Sequence, residues 1–96
     1  MTRMCDLVAE LRRCEADTRK LLSEGAAQRL SNWQAYESDQ GELIAFVQRV
    51  IRGHGQLNGW ELQRQGGRSL ERIVIDCGSP TFTEDDIRVA RGTLGV

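Results

Sequence analysis

The N-terminal quarter of the chain carries the pattern that most constrains its fold, a series of apolar side chains spaced alternately three and four residues apart. Such spacings return to one side of a helix, so residues 2–23 are predicted to form an amphipathic helix. This helix either packs on the core of its own chain or pairs with a second copy, and the sequence leaves both alternatives open. In the second alternative the oligomer interface consists of Met4, Leu7, Leu11, Cys14 and Leu21.

The length of 96 residues suits one small domain, predicted to span 1–96 with residues 1–24 as its helical and possible dimerisation element. Small chains bury little apolar surface alone, which favours a homo-oligomer. No apolar run in the sequence is long enough to span a membrane, and the first ten residues lack the apolar block of an export signal. We therefore expect a cytoplasmic protein with no membrane partner.

The middle of the chain contains a second predicted helix, from Asp39 to Arg52. Asp39 and Glu42 have the spacing of a capping box, and Gly53 follows as a stop. Residues 25–38 fit either a short helix or an irregular turn with a small strand. In both cases Trp33 is the expected core anchor.

The pattern after residue 59 predicts a β-hairpin followed by a final helix. Apolar and polar residues alternate from Trp60, the pair Gly66-Gly67 suits a two-residue loop, and the return strand covers 69–77. Thr83 and Asp86 have capping-box spacing at the start of the last helix, which is expected to end at Gly92. The predicted fold class is α+β, in the order α-α-β-hairpin-α, with a helix-hairpin-helix core over 39–92.

An arginine-rich middle region is the candidate contact surface. The whole chain has 13 basic and 14 acidic residues, a net charge of −1 that argues against a general nucleic-acid binder. Arginine and tryptophan contribute strongly at interfaces, so we expect a small non-catalytic adaptor or inhibitor that binds another protein. Nucleic acid is the less favoured alternative. The predicted contact residues are Arg49, Arg52, Trp60, Arg64, Arg68 and Arg72.

The residue types that support catalysis or metal binding are sparse in this sequence. His54 is the single histidine, and nothing in its spacing from Cys77 requires the two to meet. The three cysteines are an odd number and indicate no disulfide framework, so we expect reduced thiols. A zinc site with four protein ligands is improbable for the same sparse set of residues. No catalytic residue, metal or cofactor is predicted.

Trp60 and the segments 45–50, 72–75 and 82–90 resemble the second half of pterin-4a-carbinolamine dehydratase-like domains. In that family a helix and a histidine-rich turn precede two strands and a closing helix. The resemblance covers about half of the chain. At the position of the family's paired histidines and proline stands His54-Gly55-Gln56. The resemblance therefore implies a non-catalytic scaffold or assembly factor rather than a dehydratase.

Overall fold

A computed structural model describes residues 5–54 and 59–96, and its regular elements are all helical. A 3₁₀ segment, Ser31–Tyr36, separates the second and third helices, and a wider π-type turn, Val50–His54, continues the third. The helices are α1 (Leu7–Leu21), α2 (Glu24–Leu30), α3 (Gln40–Arg49), α4 (Gly59–Arg64), α5 (Leu70–Cys77) and α6 (Glu84–Leu94).

The predicted α+β class is wrong, because the described part of the chain contains no strand. The two expected hairpin strands are the helices α4 and α5, so the region 39–92 is helical where a hairpin was expected. The two strands implied by the dehydratase resemblance are likewise missing from the described residues.

The physical reason lies in the spacing of the buried side chains on α5. Leu70, Ile73 and Val74 are all buried, and intervals of three and four residues belong to a helix rather than a strand. The Ser69 hydroxyl accepts a hydrogen bond from the Arg72 backbone N–H at 3.0 Å and caps the helix. The apolar run 73–75 fits either period, and it was the misleading feature.

The glycine pair also differs from the prediction, since it ends a helix instead of closing a hairpin. Gly66 adopts a φ of +87°, and its N–H donates to the Gln63 carbonyl at 2.9 Å. A Cβ on Gly67 would lie 2.4 Å from a methyl carbon of Leu62 and 2.9 Å from one of Leu21. Glycine is therefore required here to let the connection lie close against α1 and α4.

The three predicted helices are confirmed in their main features. The Asp39 carboxylate accepts from the Glu42 N–H at 3.2 Å and starts α3. Thr83 and Asp86 form a complete capping box at the start of α6, which ends two residues later than expected, at Leu94. The first helix begins at Leu7, capped by Asp6, rather than at Thr2.

The core is built by packing α1 against α2 and α5 against α6. Trp33 is buried as predicted, and its indole N–H donates to Glu15 on α1 at 2.8 Å. The largest fully buried apolar side chains are Trp33, Phe82, Leu7, Leu11, Leu30, Leu43, Ile73, Val47 and Val74.

Candidate functional site

The predicted contact residues lie on separate elements. Trp60 and Arg64 belong to α4, Arg72 belongs to α5, and Arg68 lies in the connection between these helices. Arg49 ends α3, and Arg52 lies in the turn that follows it. The helical fold therefore divides the expected arginine cluster into several local environments.

Trp60 and Arg64 form an exposed aromatic and cationic pair, here called the α4 patch together with Glu61. The Trp60 side chain is 50% exposed, and the Arg64 guanidinium carbon lies 5.6 Å from its ring centroid. Arg64 also donates two hydrogen bonds to Glu61, at 2.9 and 2.6 Å. These bonds lower the pKa of the Glu61 carboxyl and raise the pKa of Arg64, so both groups stay charged.

Arg68 is held in place by polar contacts with other parts of the chain. Its guanidinium bonds to Glu10 on α1 at 2.5 Å and to Asp76 on α5, and its backbone N–H donates to Asp17 at 2.8 Å. Burial by itself lowers the pKa of Arg68, but the hydrogen bonds to Asp76 and Glu10 outweigh it, so the pKa is raised. Arg72 makes a longer pair with Asp76, at 3.4 Å.

Arg52 belongs to a polar network that joins α3 to α6. It contacts Asp86 at 2.7 Å and Asp85 at 2.9 Å, while Gln48 donates to Asp86 at 2.8 Å. Burial raises the pKa of Asp86, but the hydrogen bonds from Gln48, Thr83 and Arg52 outweigh it and lower the pKa overall. This arrangement anchors the first turn of α6 on α3.

Arg49 differs from the other predicted arginines. It is exposed at the end of α3 and makes no ion pair within residues 5–54 and 59–96.

The expected oligomer stripe on α1 faces the interior of its own chain. Leu7, Leu11 and Cys14 are buried, and Leu21 is half-buried. Met4 lies outside the described residues. The side chains that were expected to meet a second copy are therefore occupied by packing within the chain, and oligomerisation stays a prediction.

The cysteines are arranged differently from the expected reduced set. Cys5, just before α1, and Cys77, at the end of α5, form a disulfide with a Cα–Cα distance of 5.5 Å. Cys14 is free and buried, and burial raises the pKa of its thiol to about 12, so it is a poor nucleophile at neutral pH. The described residues hold no group of three or more potential metal ligands. The His54 side chain and residues 55–58 fall outside the description.

Sequence reasoning missed a buried acid, Glu71, whose side chain extends from α5 to the start of α4. It is 5% exposed, and desolvation raises the pKa of its carboxyl. One oxygen of the Glu71 carboxyl lies so close to Gly59 that a Cβ added to Gly59 would be 1.9 Å from this oxygen. A cavity of about 10 Å³, with Cys14 and Thr18 in its wall, adjoins it. If residues 70–77 are taken as a helix, Glu71 lies three residues before the buried Val74 and therefore on the same side of the helix. This spacing is the sequence feature that could have predicted the burial of Glu71.

Comparison with known proteins gives no relative for this chain: no protein-family description, no curated protein and no solved structure matches it. None of the helices in the described ranges is both long and apolar enough to cross a membrane.

Proposed function

We propose that this chain is a small non-catalytic adaptor or inhibitor that binds another protein through the α4 patch. The observation that carries the proposal is the exposure of Trp60. Trp33, Phe46 and Phe82 are buried, whereas half of the Trp60 side chain faces solvent. Leaving that much aromatic surface in water forgoes on the order of 2–3 kcal/mol of burial free energy.

The composition of the patch suits a protein interface. Tryptophan and arginine are the side chains most enriched among residues that dominate binding free energy. Glu61 holds Arg64 through two hydrogen bonds, so the guanidinium is already oriented over the indole before a partner arrives. The surface is smaller than the six-residue set expected from sequence. Arg52 and Arg68 pair with residues of other helices, whereas Arg64 pairs within α4 and its side chain stays 58% exposed.

The test is quantitative co-precipitation from lysate of the source cells with the full chain immobilised. We expect Trp60→Ala and Arg64→Ala to reduce a specific protein partner at least tenfold, and Arg29→Ala, a matched exposed arginine on α2, to retain it. Equal capture by wild type and Trp60→Ala would refute the proposal. Capture that disappears after nuclease treatment, or that falls steeply between low and moderate salt, would favour the nucleic-acid alternative.

Self-association of the chain is a further part of the proposal, tested by light scattering on the purified protein. A dimer that persists at low micromolar concentration supports it, and a monomer at high micromolar concentration contradicts it. Leu11→Asp is unsuitable as an interface variant, because Leu11 is fully buried in the core and the substitution would unfold the chain.

The proposed compartment is the cytoplasm. A cytoplasmic location agrees with the sequence, but the Cys5–Cys77 disulfide weighs against it, since disulfides persist mainly in oxidising compartments. Alkylation of free thiols in intact source cells decides the question. Modification of Cys5 and Cys77 agrees with the cytoplasm, and their protection contradicts it.

A further inference from the structure

A polar concavity lies between α1 and the connection from α4 to α5, and is here called the α1–α5 groove. It has a volume of about 360 Å³, within the range of pockets that bind small molecules. Its lining residues are Arg13, Gln63, Gly66, Gly67, Arg68 and Arg72. The groove shares no lining residue with the α4 patch, so the inference does not rest on the proposed function.

The floor of the groove is held in place by the chain itself. A side chain on Gly66 would extend into open space, and the N–H groups of Gly66 and Gly67 donate to the carbonyls of Gln63 and Leu62, both at 2.9 Å. The next N–H, that of Arg68, donates to Asp17 at 2.8 Å. The connection is thus tied to both α4 and α1, and a ligand would not have to order it.

Two guanidinium groups at the groove remain available for a ligand. Arg13 is exposed and makes no ion pair or hydrogen bond to the part of the chain that the structure describes. The Arg72 side chain is 44% exposed, and among the described residues its guanidinium contacts only Asp76, at 3.4 Å. Arg68, which is 19% exposed, is fixed by Glu10 and Asp76.

Three carboxylates, Glu10, Asp17 and Asp76, balance the three arginine charges of this region, so a long-range positive field does not select the ligand. The selection comes from geometry, because the groove is lined by the arginines and not by the carboxylates. Arg13 and Arg72 come from different helices. The three oxygens of a phosphate group can accept hydrogen bonds from two guanidinium groups, whereas the two oxygens of a carboxylate are satisfied by one guanidinium group.

Gln63 adds a second recognition element. Its Oε1 atom is buried and lacks a hydrogen-bond partner within residues 5–54 and 59–96. Buried acceptors in folded proteins are nearly always satisfied, and an orphan beside a pocket indicates a donor supplied from outside the chain. Because Gln63 lines the groove, its unpaired acceptor belongs to the wall that a bound ligand would contact.

From these observations we infer that the α1–α5 groove binds a small phosphate monoester that carries hydroxyl groups. Arg13 and Arg72 hold the phosphate, and Gln63 accepts a hydrogen bond from a hydroxyl. Both arginines are partly solvated, so binding is salt-dependent.

The experiment is an NMR titration of the isotope-labelled full chain with glycerol 3-phosphate at constant ionic strength. We expect saturable shifts at groove residues, weakened at least fivefold by Arg13→Gln and by Arg72→Gln but unchanged by Arg29→Gln and by Trp60→Ala. Circular dichroism confirms that each variant is folded. No saturable shift at the groove, or equal weakening by Arg29→Gln, would overturn the inference.

Three further probes define the ligand class. Inorganic phosphate is expected to bind more weakly than glycerol 3-phosphate, and Gln63→Leu is expected to remove that difference. Glycerol alone is expected not to bind. Succinate binding as tightly as glycerol 3-phosphate would show that phosphate is not the recognised group and would contradict the assignment.

Discussion

At the scale of single residues, the most consequential contact is the one between Glu71 and Gly59. A carboxyl that is 5% exposed loses most of its hydration, and its close approach to α4 exists only because residue 59 lacks a side chain. The sequence contains no motif that marks either residue. Their pairing depends on the packing of α4 against α5, which no local pattern specifies.

Gly59→Ala is expected to destabilise the chain, because its Cβ would occupy the position of the Glu71 carboxyl oxygen. The expected loss is about 1–3 kcal/mol, typical of overpacking. The loss should largely disappear in a Glu71→Ala background, where that oxygen is absent. Urea unfolding of the two single variants and the double variant measures this coupling, and strictly additive losses would contradict it.

Glu71→Gln is expected to alter the pH dependence of stability. Burial raises the folded-state pKa of Glu71 above the ordinary value of 4.5, so its stabilising contribution is complete below that value and is lost as pH rises through the folded pKa. Glutamine does not ionise and avoids this loss. The difference in unfolding free energy, variant minus wild type, should therefore be larger at pH 7.5 than at pH 4.5. A difference independent of pH would contradict the account.

At the scale of elements, predictions succeeded where local chemistry acts alone. Asp39 and Thr83 mark helix starts through side-chain caps that form within one turn, so their sequence spacing suffices. The hairpin prediction failed because two sequence features each fit two structures. The pair Gly66-Gly67 suits a hairpin loop as well as the end of a helix, and the apolar run 73–75 fits the spacing of a strand as well as that of a helix. The decision between them was made by burial of Leu70 and Val74, a tertiary effect.

The site was less predictable than the helices. Trp60 and Arg64 were both selected from sequence, but their contact requires the helical separation of four residues. Arg13 was missed, because its sequence position 55 residues before Arg68 gives no sign that the two line one groove.

Thr83→Ala tests the capping box of α6. The variant removes the oxygen that accepts from the Asp86 N–H at 3.1 Å, and a loss of about 1 kcal/mol is expected. Thr93→Ala, an exposed position near the end of the same helix, is the matched control and should change stability much less. Thermal unfolding measures both. Equal effects of the two variants would show that the cap is not the source.

At the scale of the whole molecule, the Cys5–Cys77 disulfide joins the start of α1 to the end of α5 across 72 residues of sequence. Closing a loop of this length removes much of the conformational freedom of the unfolded chain. The link therefore holds together two elements that the chain order places far apart.

Cys77→Ser is expected to lower the unfolding free energy by roughly 4 kcal/mol, following the loop-closure relation. Adding reductant to the wild-type protein should produce a similar loss and should leave Cys77→Ser unaffected. Urea unfolding with and without reductant measures both effects. Wild-type stability that does not respond to full reduction of the bond would contradict the prediction.

The central claim is that the α4 patch contacts a protein partner, and site-specific photo-crosslinking in the source cells tests it most directly. A photoreactive residue is placed at Gln65, which is exposed and donates to Glu61 at 3.0 Å beside the patch, with the same residue at Arg29 as the control. The account predicts one discrete crosslinked protein species from position 65, absent from position 29 and lost when Trp60→Ala is added. No crosslink at position 65, or the same species from both positions, would contradict it.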